Sequence, residues 1–182
     1  MRSANSPLLI LFILLLNTQA LWASSRPAPE WDISEWINGE GNSLAELRGK
    51  VVVVDFFQLW CPGCNSFSIP LMSAWEEKYR TEVESGRLIF LSIHSVFEGH
   101  EFQNPKRLRL YLKQKGIRHL VGVDRHQEGE EIPETMQRYR TRGTPEMAII
   151  DQQGQIRFQR FGRFDPAEGE SLIENLLEEK GI

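Results

Sequence analysis

The sequence predicts an α/β domain built on a central mixed β-sheet with helices on both faces. Short apolar, β-branched runs alternate with longer amphipathic segments through most of the chain, as strands joined by crossover helices do. The run Val51-Val52-Val53-Val54-Asp55-Phe56-Phe57 is apolar at nearly every position, not at every second one, so it needs cover on both sides. Near the end, two strand-like runs flank Asp151-Gln152-Gln153-Gly154, a hairpin turn that adds an antiparallel pair.

Residues 1–25 fall outside this pattern. Arg2 supplies a short basic start, Leu8 to Leu16 is an unbroken apolar run of nine, and small residues follow at Ala20, Ala23, Ser24 and Ser25. This is the form of a secretory signal peptide, with cleavage expected at about residues 20–25. Nine apolar residues are short for a bilayer span, and retention as an N-terminal anchor is the alternative. The reading places the mature protein in an exported compartment, a bacterial periplasm being the best fit, where disulfide chemistry is permitted. Residues 26–182 then form one domain with a single core.

Taken in order, Pro27 and Pro29 mark an extended lead-in, and Trp31 to Ile37 reads as a short strand ending in the glycine turn at 39–41. Ser43-Leu44-Ala45-Glu46 has the spacing of a capping box and predicts a helical turn stopped by Gly49. The buried strand 51–57 follows. A long helix is expected from the segment after Pro62 to about Val83, with Phe67, Leu71, Trp75 and Tyr79 as its core stripe and Pro70 kinking it. Arg87 to Val96 is a second buried strand; His94 within it reads as a packed histidine. Pro105 to Gly116 is an amphipathic helix with Leu108, Leu110 and Leu112, and Leu120 to Asp124 a short strand. A helix near 133–139, the hairpin strands 146–151 and 155–161, and a last helix from Pro166 to Lys180 complete the chain.

The charge balance excludes some partners. The chain carries 21 basic and 25 acidic residues, a net charge of −4, and no basic run exceeds an ordinary solvated face. Nucleic acid and anionic membrane surfaces are therefore poor candidates.

The chemistry concentrates at Cys61-Pro62-Gly63-Cys64, the only two cysteines of the chain. They stand between a strand end and a helix N-terminus, where unpaired backbone N–H groups and the helix dipole favour thiolate over thiol. A purely structural disulfide is the bland alternative, but a four-residue ring removes little chain entropy, worth about 2 kcal/mol at most. A zinc site would need two further ligands; no second cysteine pair exists, and the four histidines show no ligand spacing. No metal or cofactor is expected.

These residues resemble a known family. A strand, then Trp60-Cys61-Pro62-Gly63-Cys64, a long helix, and a late Gly143-Thr144-Pro145 opening a hairpin is similar to the thioredoxin fold. With the leader and the extra helical segment between the second and third main strands, the chain resembles the exported TlpA-type thiol–disulfide oxidoreductases over roughly residues 30–180. The resemblance implies that Cys61 is the attacking cysteine and Cys64 the buried resolving one. It implies that Pro145 follows a cis peptide bond and faces the pair, with Thr144 offering backbone groups to a substrate strand. Trp60 would wall the site, ordinary core packing being the alternative. Asp55 matches the buried acid beneath the second cysteine, where desolvation raises its pKa and suits it to accept the Cys64 proton; the alternative is a strand-end aspartate capping backbone.

Three features depart from the family pattern: the Pro62-Gly63 dipeptide, Pro70 placed six residues after Cys64 rather than five, and Gln58-Leu59 before the tryptophan. Pro62 and Gly63 are expected to tune the redox potential. The expected reaction is exchange between Cys61–Cys64 and protein dithiols or disulfides, leaning towards reduction, with an upstream membrane electron donor. Two alternatives use related folds. A thiol peroxidase would carry Thr or Ser where Gln58 stands, and a copper-delivery chaperone would space its cysteines one residue further apart.

Overall fold

The computed structural model describes residues 26–179. The segment read as a signal peptide lies outside the described residues. Seven strands, β1 (Arg26–Pro27), β2 (Ile33–Ile37), β3 (Val51–Phe57), β4 (Leu88–His94), β5 (Leu120–Asp124), β6 (Glu146–Ile150) and β7 (Gln155–Phe161), form one sheet in the order β1-β7-β6-β3-β4-β5-β2. The centre is parallel, β3 on β4 and β4 on β5, while β3–β6, β6–β7, β1–β7 and β2–β5 run antiparallel. The helices are α1 (Ile69–Lys78), α2 (Arg80–Glu84), α3 (Pro105–Lys115), α4 (Glu134–Tyr139) and α5 (Pro166–Glu178).

The two faces of β3 explain its continuous apolarity. Val52, Val54 and Phe56 join Leu91, Ile93, Ala148 and Tyr139 in one core, closed by Trp31, Leu44 and Leu47. Val51 and Val53 join Met72, Trp75, Met147, Ile173 and Leu176 in the other, beneath α1 and α5. Every residue of β3 is buried, including Asp55. Alternation along the strand puts Asp55 on the same face as Val53 and Phe57, the face that α1 covers. The segment between β4 and β6 supplies a strand as well as helices: β5 extends the parallel ladder and seats β2 at its edge.

Several expectations need correction. The helix after the cysteines is not one rod. It opens with a π-helical turn, Cys64–Ser68, in which the Ile69 N–H reaches back to the Cys64 carbonyl, and it breaks at Tyr79 before α2. Pro70 therefore sits in the first turn of α1, where its missing N–H costs least, and the wide turn before it absorbs the additional residue. That turn also shifts the helical phase. Trp75 and Tyr79 are buried as expected, but Ser68, Ile69 and Met72 are buried too, while Phe67 and Leu71 are only half-buried. Leu110, expected on the apolar side of α3, is 56% exposed. The segment at Ser43 is a turn rather than a helix, although the capping-box bonds are present: the Ser43 N–H donates to Glu46 Oε2 (2.7 Å) and the Glu46 N–H to Ser43 Oγ (3.3 Å).

Candidate active site

The C-terminal end of β3 delivers the chain into the loop Gln58–Gly63, and the cysteines stand where that loop becomes helix. Cys61 and Cys64 are disulfide-bonded with Cα atoms 5.2 Å apart. The Cys64 N–H donates to Cys61 Sγ at 3.0 Å, so a helix-start amide points at the first sulfur. Of the two, Cys61 keeps a small exposed area, 6%, and Cys64 none. Pro62 beside it is exposed and Trp60 is 44% exposed, which places the indole at the surface next to Cys61 and not in the core.

The loop before β6 closes the site from the other side. The Thr144–Pro145 bond is cis. A β-carbon built on Gly63 would stand 2.8 Å from Pro145 Cδ and 3.9 Å from Cys61 Sγ. The second dipeptide position is thus in contact with the proline ring, and only glycine fits without displacement. Thr144 is half-buried, and its backbone N–H and C=O take no hydrogen bond among the described residues. Its hydroxyl meets Gln58 Oε1 at 3.5 Å; Gln58 is buried with Nε2 unpartnered.

Asp55 lies fully buried beneath the reactive turn. Loss of water pushes its carboxyl up to about 8, against the opposing effect of a hydrogen bond from Ser68 Oγ to Oδ2 at 3.1 Å. Oδ1 has no partner. Ser68 is the buried position one turn on from Cys64, so the acid is anchored to the face of the turn that carries the second cysteine. Tyr111, stacked on Phe57 with ring centroids 6.2 Å apart, lies close enough that burial and the Asp55 charge raise its hydroxyl to about 12.

Three contributors were missed from sequence. Ser68 sits four residues after Cys64, a spacing that would have flagged it had the wide turn been foreseen. Gln103 carries no sequence signal: its Oε1 accepts the Leu59 N–H (3.0 Å) and its Nε2 donates to the Glu98 carbonyl (2.9 Å), fastening the loop before α3 to the reactive loop. Ser92, the register partner of Asp55 on β4, is bonded to His119, which in turn pairs with Glu76 on α1. His94 is buried against Phe57, and desolvation lowers its pKa to about 4, so it is neutral core. Among the described residues no group of three or more His, Cys, Asp or Glu side chains is placed to hold a metal ion.

Known proteins with this architecture carry the same fold over nearly the whole chain. A family model for a thioredoxin-like domain matches residues 42–177. A thiol-disulfide isomerase from Corynebacterium glutamicum is 39% identical with a TM-score of 0.77, over 85% of this chain and 97% of that one. A thioredoxin-like superfamily protein is 38% identical with a TM-score of 0.78, over 86% and 99%. The DipZ protein of Mycobacterium bovis is 30% identical over 148 residues, 80% of this chain. The chain spans about a fifth of the length of that relative (20%). With a Cys-x-x-Cys pair at the start of the helix after the central strand and a cis-proline packed beside it, the chain belongs to the thioredoxin-like family.

Proposed function

We propose that this protein is an exported, TlpA-type oxidoreductase that reduces disulfides in protein substrates through Cys61. The observation that carries the assignment of roles is the amide of Cys64 donating to Sγ of Cys61, the one residue of the pair with exposed area. In the reduced state that amide and the helix start stabilise the Cys61 thiolate. The thiolate attacks one sulfur of the substrate disulfide, forming a Cys61–substrate bond and releasing the other sulfur as a thiolate, which takes a proton from water. Cys64 passes its proton to Asp55 and attacks Cys61 Sγ; the Cys61–Cys64 bond forms as the second substrate sulfur leaves. Two electrons move from the pair to the substrate, and a dithiol donor, membrane-held in this reading, must return them. A carboxyl near pH 8 is matched to take and release a proton close to neutrality. The unpaired peptide groups of Thr144 suit backbone pairing with an extended substrate strand. Pro62-Gly63 lacks the histidine of strongly oxidising relatives, which supports the reducing direction, and the apolar leader supports export.

Cys64→Ser tests the roles. It is expected to trap a mixed disulfide on Cys61, because attack proceeds and resolution cannot. Mass spectrometry of the exported variant would show the adduct. Adducts arising from Cys61→Ser instead would reverse the assignment.

A further inference from the structure

The surface flanking Cys61 has two unlike halves. On one side, Leu59, Trp60, Phe102, Leu110 and Tyr111 line a groove of about 280 Å³. Trp60, Phe102 and Leu110 are 44%, 47% and 56% exposed, three large apolar side chains on one depression. The groove is fixed in place. Trp60 and Phe102 pack with centroids 6.0 Å apart, the indole lies over Gly99 where a β-carbon would stand 1.6 Å from it, and Gln103 ties the Phe102 loop to Leu59. Exposed apolar side chains gathered in this way mark a binding surface.

The cis-proline side is cationic. Phe161, 43% exposed, lies against Gly143, two residues before Pro145, and the Arg142 guanidinium covers its ring at 5.3 Å. Arg163 covers Phe67 at 5.2 Å and donates to Ser66 O and Oγ, two residues after Cys64. Arg125, Arg138, Arg157 and Arg160 all pair with carboxylates, whereas Arg142 and Arg163 have none within salt-bridge distance among the described residues. The exposed acid nearest in sequence, Asp165, is engaged at the start of α5 with the Ala167 N–H. On the groove side Arg107 also lies on Phe102, with Glu98 and Glu101 on the same loop. Beside the proline the neighbouring carboxylate, Glu146, is buried and already accepts from the Arg142 backbone N–H (2.8 Å) and from Gln159 Nε2, so both guanidinium groups stay free of a carboxylate partner among the described residues. A guanidinium resting on a ring keeps its N–H edge for a carboxylate. This occurs on a chain of net charge −4.

We propose that the site selects an extended acidic segment of a disulfide-bearing protein, seating a bulky apolar residue in the Trp60–Phe102 groove and acidic residues on Arg142 and Arg163. The inference rests on the oxidoreductase reading and names its substrate class. It is tested with mixed-disulfide peptides that place Phe on one side of the cysteine and Asp-Asp or Lys-Lys on the other, made in both orders. Hydroxyethyl disulfide, which has neither feature, is the control. Reduced protein is expected to react with one Asp-Asp peptide about tenfold faster than with its Lys-Lys counterpart at low salt, the gap closing to about twofold in 0.5 M salt. Arg142→Gln alone should narrow the gap about threefold and the Arg142→Gln/Arg163→Gln pair should abolish it. Replacing the peptide Phe by Ser should slow wild type about fivefold and leave Trp60→Ala unaffected. Rates with hydroxyethyl disulfide should be the same for wild type and Arg142→Gln, and the peptide rates of the double variant are taken relative to its own rate with hydroxyethyl disulfide. Equal rates for Asp-Asp and Lys-Lys peptides, or a preference that survives the double arginine variant, would overturn the inference while leaving the enzyme intact. Failure to exchange with hydroxyethyl disulfide would overturn the oxidoreductase reading itself and this inference with it.

Discussion

At Gly63 a single missing methyl group decides how close the two halves of the site approach. The residue has ordinary helical dihedrals, φ −64° and ψ −41°, so glycine is not required by the backbone there. It is required by Pro145, whose Cδ would lie 2.8 Å from an added β-carbon. Gly63→Ala must therefore push the proline loop outward or turn the cysteine loop away from it. Overpacking of this kind costs about 1–3 kcal/mol, which a denaturant titration of the oxidised protein resolves. The same change moves the ring from its contact beside Cys61, so the reduction potential of the pair is expected to move with it. An alanine variant as stable as wild type would show that the proline loop yields freely, and that glycine is there for another reason.

The turn from Cys64 to Ser68 is where an element departs from its ideal form beside the cysteine pair. Pro70 cannot donate to the Ser66 carbonyl one helical turn before it, and Arg163 Nη2 makes that contact in its place. The wide turn leaves Cys64 and Ser68 both buried, and Ser68 reaches Asp55. The sheet was legible because β-branched runs between turns carry their own length: β3, β5 and β7 fall on the expected residues, and β4 and β6 within two. The cysteine loop was legible from its two thiols and from Asp55, Thr144 and Pro145 at matching positions. The π-helical turn was not, since its cause is a one-residue offset between Cys64 and Pro70 that shows in sequence only as an odd spacing. Gln103 and Ser68 were hidden because their partners are 44 and 13 residues away, and nothing local in a serine or glutamine announces a distant acceptor. Ser68→Ala tests the element. The serine bond is the one influence holding the Asp55 carboxyl down, so its loss should carry that pKa further above about 8. A lost hydrogen bond of about 1 kcal/mol corresponds to roughly one pH unit or less. The pH profile of resolution by Cys64 should shift upward by that amount in Ser68→Ala and disappear in Asp55→Asn. An unshifted profile would remove Asp55 from the proton transfer.

Across the whole molecule, burying two titratable groups on neighbouring strands gives the fold a characteristic dependence on pH. Asp55 on β3 is raised from 3.8 to about 8 and His94 on β4 lowered from 6.5 to about 4, both chiefly by desolvation. For Asp55 the folded state holds its proton after the unfolded chain has lost it. Its contribution is therefore complete below about pH 4 and is lost as pH rises towards about 8. For His94 the folded state refuses a proton that the unfolded chain accepts. Its contribution is complete above about pH 6.5 and is lost as pH falls towards about 4. Between those limits the two slopes oppose each other, so from about pH 4 to 6.5 stability of the oxidised protein should change only gently, with a small downward lean from Asp124, whose carboxyl burial also raises. From about pH 6.5 to 8 only Asp55 acts, and stability should fall by about 1.4 kcal/mol per pH unit. Urea titrations across this range check the shape. Asp55→Asn should abolish the fall above pH 6.5, because an amide does not ionise in this range. His94→Phe should remove the compensating slope, so that stability declines continuously from about pH 4 upward. A wild-type curve that stays flat between pH 6.5 and 8 would mean that Asp55 ionises freely in the fold. It would then have access to water that the closed packing around β3 does not provide.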